Sequence, residues 1–416
     1  MPEEIVTRIL RLPGYGIYQW EADEAVNTLT LKIHQTARNP SYVCGGCGRS
    51  VREIHSWTER RIRDLPWGTW AVWLWVEVHR VRCRRCGVRT ERLPFVNGKA
   101  HCTARLEAAV AQACEAAPVS RVACQQGLPP ETVRRMDKRV LRRWAAARPR
   151  TPLHYLGVDE IFLGKTVKFL TVVSDLETGE PLWMGLERKQ ETPDRFFADA
   201  LPPARRRAVR AVCVDMWEPF WLSLQEHLPH AKIVYDKFHV LRHASEALDE
   251  TRRAEFFRQG AEARGLIRGK RWLLLRRWAN LDWEERQTLR DLFALNRRLA
   301  KAYLLKEQLA QLWSYTYEGA AYRFLTNWLL ALRWQRLPAF QKLGALLARH
   351  LSGILNYCHE KVPFGKVEEK VPFGKVEAIN GNIRAMLRRG RGYRDHEYLL
   401  LKVRKATVTR RLRRTA

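Results

Sequence analysis

Tyr155-Leu156-Gly157-Val158-Asp159 and, further along, Ala211-Val212-Cys213-Val214-Asp215 are the stretches that decide how this chain is built. Each is a short apolar run that ends in an aspartate. An acid at the tip of a buried strand faces a desolvation cost of roughly several kcal/mol unless a cation or a donor compensates. Two such tips side by side, with Glu377 opening a helical pattern downstream, make an oxygen-only cage of the kind that suits Mg²⁺. Taken singly, each acid reads equally well as a strand-end cap or half of an ion pair.

The surroundings of the two tips fix the order of elements. Segments 155–162, 168–174 and 181–187 are β-type runs joined by turns such as Glu177-Thr-Gly. A helix over 192–200, a strand over 208–215, a helix over 217–228 and a strand over 231–235 come next. Three antiparallel strands and then alternating helix and strand is the ribonuclease-H-like order. Its first and fourth strands are neighbours, which predicts Asp159 beside Asp215. Two metals about 4 Å apart between such acids can activate a water or a 3′-hydroxyl and stabilise the leaving oxygen. From 237 to 357 the alternation stops: there is no proline between 230 and 337, and Leu, Ala and Arg dominate. That predicts an all-helical insertion. Its Trp272, Trp278, Trp283, Trp313, Trp328 and Trp334 are expected mostly in the core, although any one could stack on a base.

Charge points to the partner. The chain carries 74 Lys+Arg against 44 Asp+Glu, a net charge of +30 over 416 residues. A polyanion is the expected partner. A membrane surface is the weaker choice, because no 18-residue apolar span exists and the Met-Pro-Glu-Glu start lacks the basic and apolar parts of a signal peptide. Residues 384–416 hold twelve Lys/Arg against Asp395 and Glu397, a basic tail suited to phosphate contact. Nine cysteines without a secretory signal predict a reducing cytoplasm.

Four of those cysteines are spaced for a metal: Cys44-Gly-Gly-Cys47-Gly and Cys83-Arg-Arg-Cys86-Gly. Each C-x-x-C turn brings two thiolates to one ion, and the following glycine permits the tight backbone that points amides at sulfur. A closed S₄ set predicts one structural Zn²⁺, with strands of a ribbon between the knuckles. Cys102, Cys114, Cys124, Cys213 and Cys358 lack such spacing and are expected to be buried apolar residues. Next, 119–126, a Gly127-Leu-Pro-Pro turn and a helix from Glu131 read as helix-turn-helix. The second helix carries Arg134, Arg135, Lys138, Arg139, Arg142 and Arg143, while Val133, Met136, Val140 and Leu141 face a core. This is the charge layout of a helix that meets DNA, although a plain connecting helical pair would look similar.

Taken together, these motifs make the chain resemble bacterial insertion-sequence transposases of the DDE type, most closely the ISL-three family. The likeness runs through the cysteine ribbon, the helix-turn-helix, Leu156-Gly-Val-Asp-Glu160, Val212-Cys-Val-Asp-Met216, Tyr235-Asp-Lys-Phe-His-Val240 and the closing Gly390-Arg-Gly-Tyr-Arg. It implies a catalytic triad of Asp159, Asp215 and Glu377 holding two Mg²⁺ (or Mn²⁺) ions. It also implies that Asp236 and His239 form the Asp-x-x-His element after the fifth strand, behind the metal ligands. Bottom-up, Asp236 could cap the next helix and His239 could be a core histidine. The expected fold is multidomain α+β. Residues 1–100 form a zinc-ribbon DNA-binding domain, and 101–150 a helix-turn-helix with linker. Residues 151–236 are the first part of a ribonuclease-H-like α/β core, 237–357 the helical insertion, and 358–416 the last part of the core with the catalytic Glu helix and basic tail. The expected activity is binding of terminal inverted repeats, metal-dependent strand cleavage and strand transfer into target DNA, in a bacterial, nucleoid-associated cytoplasmic protein. Pairing two ends implies at least a homodimer. A domesticated DNA-binding regulator and a structure-specific nuclease are the alternatives.

The third acid has a rival. Glu360-Lys-Val-Pro-Phe-Gly-Lys-Val-Glu368 recurs unchanged as residues 369–377, so each copy ends in Glu. After Glu368 come Pro372 and Gly374, which disfavour a helix carrying that Glu. After Glu377, Ile379, Ile383, Met386 and Leu387 share one helical side, and Glu377, Asn380, Arg384 and Arg388 the other. Glu377 is the expected ligand, Arg384 and Arg388 are expected DNA contacts, and the extra copy is expected to loop out upstream.

Overall fold

The computed structural model describes all residues except 1–6, 8–9, 150, 165–168, 188, 259–263, 266, 360–374, 391 and 416. The chain packs as two compact units, Met1–Pro149 and Arg150–Ala416.

In the first unit, strands β1 (Tyr15–Asp23), β2 (Thr28–Gln35), β5 (Ile54–Arg63), β6 (Ala71–Cys83) and β7 (Gly87–Thr90) form one sheet in the order β1-β2-β6-β5, with β7 on the end of β6. A two-stranded ribbon, β3 (Tyr42–Val43) and β4 (Ser50–Val51), carries the first cysteine knuckle. Strand β6 alternates strictly: Val72, Leu74, Val76 and Val78 are buried, while Trp73, Trp75, Glu77 and His79 lie on the other face. Its buried row shares one core with Leu106 and Val110 of α1 (Ala104–Ala116), Val122 of α2 (Val119–Gln126), and Val133 and Met136 of α3 (Pro130–Ala146). The sheet and the helical trio therefore bury each other's apolar faces. Helix α1 is capped by the Thr103 hydroxyl, which accepts from the Leu106 N–H. Helix α2 stops at Gly127, left-handed at φ 57°, and Pro130 opens α3 at a position where a missing N–H costs nothing.

The second unit is built on a sheet ordered β10-β9-β8-β11-β12: β8 (Tyr155–Phe162), β9 (Phe169–Asp175), β10 (Glu180–Leu186), β11 (Ala211–Val214) and β12 (Lys232–Tyr235). The first three strands are antiparallel, and β8, β11 and β12 run parallel. The expected order is present, with β8 and β11 adjacent. Helices α4 (Glu191–Asp199) and α5 (Glu218–His227) supply the connections.

One face of this sheet, through Leu156, Val158, Val212 and Val214, continues into the core of the helices downstream. These are α6 (Lys237–Arg258), α7 (Trp283–Leu295), α8 (Arg297–Ala310), α9 (Glu318–Leu332), α10 (Pro338–Arg349) and α11 (Leu351–His359), with shorter turns between. Among the described residues, 237–357 hold helices and no strand. The tryptophans there do not sit as expected. Trp328 is buried and donates to the Leu305 carbonyl at 3.2 Å, and Trp278 and Trp313 pack at the core's edge. Trp272, Trp283 and Trp334 are exposed.

The opposite sheet face is covered by α12 (Lys375–Arg389) and α13 (His396–Thr415): Ile379, Ile383, Leu399 and Val403 pack on Ile161, Leu170, Val172 and Met184. The start of the basic C-terminal stretch is thus core rather than tail, and Arg404 Nε pairs with Glu180 at 2.8 Å. Among the described residues, no helix is long and apolar enough to cross a membrane.

Gly157 sets how closely α12 approaches β8. A Cβ there would lie 2.7 Å from Leu176 Cδ2 and 3.1 Å from Val376 Cγ2. Gly157→Val should lower unfolding stability by about 1–3 kcal/mol in chemical denaturation, as overpacking does. An unchanged midpoint would show that the helix start gives way freely.

Candidate active site and zinc centre

Parallel register brings three acids to one level. Strand β11 pairs Cys213 with Gly157 of β8 and Val214 with Tyr235 of β12. Asp159 therefore stands beside Asp215 and Asp215 beside Asp236, all buried; Asp215 and Asp236 directly follow β11 and β12, but Asp159 is not the expected strand tip, since β8 continues past it to Phe162, paired with β9. Each carboxylate accepts from a backbone N–H just after it: Asp159 Oδ1 from Glu160 at 2.8 Å, Asp215 Oδ1 from Met216 at 2.7 Å, and Asp236 Oδ1 from Phe238 at 2.9 Å. Of the second oxygens, those of Asp215 and Asp236 lie beside His239, and that of Asp159 accepts from Asn380.

His239, in the first turn of α6, is the hub. Its Nε2 lies 3.6 Å from Asp159 Oδ1 and 3.9 Å from Asp215 Oδ2, and its Nδ1 lies 3.3 Å from Asp236 Oδ2. Burial alone would lower its pKa, but Asp236, Asp215 and Asp159 together outweigh burial and hold it up at about 9. Burial raises Asp159 to about 6, opposed by the nearby His239. One helical turn beyond His239, Arg242 Nη2 lies 3.6 Å from Asp215 Oδ2. Sequence reasoning missed Arg242, since a basic residue on an amphipathic helix reads as a solvated one.

Helix α12 presents Glu377 and Asn380 on one face, and buried Asn380 donates to Asp159 Oδ2 at 2.5 Å. Glu377 is half-buried; burial and then Asp236 raise its pKa, while Arg384, His239 and Arg242 oppose the rise, so its carboxyl stands in the field of the cluster. Arg384 and Arg388 are exposed on α12. The tandem copy and its Glu368 lie outside the described residues. Asp159, Asp215 and Glu377 form a looser set than the four cysteines, which are the one group among the described residues with all ligand atoms within 4.8 Å of one another.

Those cysteines, Cys44, Cys47, Cys83 and Cys86, sit where β3, β4, β6 and β7 meet. Gly48 and Gly87, which come directly after the two knuckles, adopt φ +74° and +68°, the conformation the motif requires. The Arg49 backbone N–H directed at Cys47 lowers that thiol, and Cys47 in turn raises Cys86 to about 11. Four crowded thiols cannot all ionise without a cation, and a tetrahedral S₄ set fits Zn²⁺. Of the other cysteines, Cys102, Cys114 and Cys213 are buried as expected and Cys358 is half-buried, but Cys124 is exposed on the outer side of α2.

The helix-turn-helix also differs from its sequence reading. Glu107 of α1, fully buried, pairs with Arg139 and Arg143 of α3 at 2.5 Å each and accepts from Asn97 at 2.7 Å. Arg134 pairs with Glu131 at 2.7 Å. Arg135 and Arg142 are exposed, Lys138 is half-buried, and Val140 is half-buried rather than core.

A ribonuclease-H-like core behind a zinc ribbon and a helix-turn-helix defines a multidomain enzyme acting on nucleic acid. Residues 156–403 match the DDE transposase model of the ISL3 type, described as "Transposase". Residues 40–86 match the zinc-finger of transposase IS204/IS1001/IS1096/IS1165, and 91–141 the helix-turn-helix domain of transposase family ISL3. The transposase for insertion sequence element IS1001 of Bordetella parapertussis is 35% identical over 399 residues, 94% of this chain and 95% of that protein. The transposase for insertion sequence element IS1557 of Mycobacterium tuberculosis is 29% identical over 394 residues, 86% of this chain and 84% of that protein. The chain belongs to the ISL3 family of DDE transposases, enzymes of DNA transposition.

The acid cluster and the knuckle each have a measurable consequence. A folded-state pKa of about 6, above the ordinary 3.8, means that burying Asp159 costs nothing below about pH 4, costs progressively more as pH rises to about 6, and costs its full amount above that. In metal-free protein, Asp159→Asn should therefore gain stability over wild type as pH rises through that window, read by denaturant unfolding; a gap independent of pH would refute the burial effect. At the knuckle, a Cβ on Gly45 would lie 2.4 Å from the Thr90 carbonyl oxygen. Gly45→Ala should release zinc to a chelator far faster than wild type although all four thiols remain.

Proposed function

We propose that this transposase acts on the ends of its own insertion element, cutting a strand at each end with Asp159, Asp215 and Glu377 as the catalytic acids. The observation that carries this is the common level of Asp159 and Asp215 on β8 and β11, with Asn380 tying the Glu377 helix to Asp159. These three acids would hold two divalent ions, Mg²⁺ or Mn²⁺, which when bound supply charge stabilisation to an in-line displacement at phosphorus.

The chain's own groups do the rest. His239 and Arg242 put positive charge beside the acids, where a scissile phosphate brings negative charge. Asp236 fixes the imidazole from behind. Attack by water on the scissile phosphodiester frees a 3′-hydroxyl. Attack by that hydroxyl on target DNA forms one P–O bond as another breaks, so no further reactant is needed. On α3, Arg134, Arg135, Lys138, Arg139 and Arg142, with Arg384 and Arg388 on α12, are the proposed DNA contacts, Arg139 only if it leaves Glu107. Pairing of two ends calls for at least a homodimer, working on the bacterial nucleoid in the cytoplasm.

Asp159→Asn, Asp215→Asn and Glu377→Gln should each reduce Mg²⁺-dependent cleavage of an end-bearing duplex by at least about a thousandfold, with end binding retained. Glu368→Gln should leave cleavage unchanged. Cleavage lost in Glu368→Gln and kept in Glu377→Gln would move the third acid to the first copy of the repeat.

A further inference from the structure

The zinc module, rather than α3, carries the basic surface that its own domain neutralises least. Segments 42–53 and 79–92, which build the module, contain eight arginines and two acids. All eight, among them Arg49, Arg52, Arg84, Arg85 and Arg89, are exposed. One of the two acids, Glu91, is buried and turned inward onto His79 at 2.8 Å. The other, Glu53, pairs with Arg82 at 3.1 Å, the one ion pair these arginines make among the described residues. By contrast, three of the six cations on α3 are engaged by Glu107 and Glu131.

The placement is specific. Arg84 and Arg85 lie between the two thiols of the second knuckle, and Arg49 and Arg52 come just after the first. Arg89 pairs in register with Val81, and its Cγ would stand 3.6 Å from a Cβ on Gly46, so it lies over the first knuckle. Residues from both knuckles are thus gathered by one S₄ centre, which fixes guanidinium groups that are far apart in sequence on one small module. Arginine forks suit phosphate oxygens, and a rigid base spares part of the ordering entropy that a flexible arm would lose.

We propose that the arginines of the zinc module are a second DNA-contact surface, gripping duplex phosphates without regard to sequence, while α3 reads the bases of the terminal repeat. This rests on the DNA-end reading above and assigns the phosphate grip to particular residues. Phosphate contacts carry affinity and salt dependence, whereas base contacts carry sequence preference.

The test uses the full chain, a duplex bearing the terminal repeat and a scrambled duplex of equal length, with Kd measured across a salt series. Combined Arg84→Gln, Arg85→Gln and Arg89→Gln should weaken both duplexes by a similar factor, about tenfold or more. The slope of log K against log salt should become shallower by about 2–3, since each phosphate contact contributes about 0.9. Arg135→Gln with Arg142→Gln should instead reduce the preference for the terminal repeat. Unchanged affinity and slope in the triple variant, with its zinc equivalent retained, overturns the proposal. Should the triple variant lose zinc, Arg49→Gln with Arg52→Gln is read for the same two outcomes. A wild-type chain that binds neither duplex would overturn the end-binding reading itself, a result distinct from a variant that binds like wild type.

Discussion

Like charges held at one level by parallel strand register are the constraint around which the second unit is organised. Asp159 lies within β8, Asp215 and Asp236 directly follow β11 and β12, and the ladder that aligns the strands also aligns the acids. Burial makes this expensive, and the surrounding residues answer it with positive charge. The N-terminal turn of α6 starts directly after Asp236, its Phe238 N–H donates to the Asp236 carboxylate, and three acids at once raise the pKa of His239 in that turn. Arg242 repeats the device a turn further on.

The third acid arrives by a different route, and packing determines it. Helix α12 is driven onto the sheet by Ile379 and Ile383, which share a core with Ile161, Leu170 and Val172. Its approach is close because Gly157 presents no side chain to Val376. Asn380 then converts that packing into register by donating to Asp159. The glycine in Leu156-Gly-Val-Asp159 and the amide three residues after Glu377 thus serve one end: they set how far a carboxylate on a helix stands from carboxylates on strands.

Much of this was legible in the sequence because burial patterns stop where chemistry begins. An apolar run that ends in Asp marks a strand tip at Asp215, after the four buried positions of Ala211–Val214, whereas at Asp159 the strand runs on to Phe162. The cysteine knuckles are legible for a similar reason, as their glycines have one conformational use. The features that escaped lacked such contrast. Strand β1 has only its first three residues buried, so no alternation announces it. Arg139 and Arg142 look alike on a helical wheel, yet one meets the buried Glu107 and the other is exposed; the difference lies in a residue of another helix. The exposed tryptophans of the helical insertion misled for the opposite reason, since composition cannot say which face of a helix has a neighbour.

The repeated Glu-Lys-Val-Pro-Phe-Gly-Lys-Val-Glu segment isolates the physical choice of the candidate third acid, because both copies offer the same nine residues. Nothing within the repeat can distinguish Glu368 from Glu377; only the residues C-terminal to each copy can. Helix α12 begins at Lys375, inside the second copy, and continues through Ile379, Asn380 and Ile383, which supply the core contact and the hydrogen bond to Asp159. The first copy runs into Glu369-Lys370-Val371-Pro372, which supplies neither an apolar stripe nor an amide at the third position and meets a proline within four residues. A carboxylate becomes a candidate ligand through the helix that carries it, and among the described residues that helix is the one that follows from the second copy.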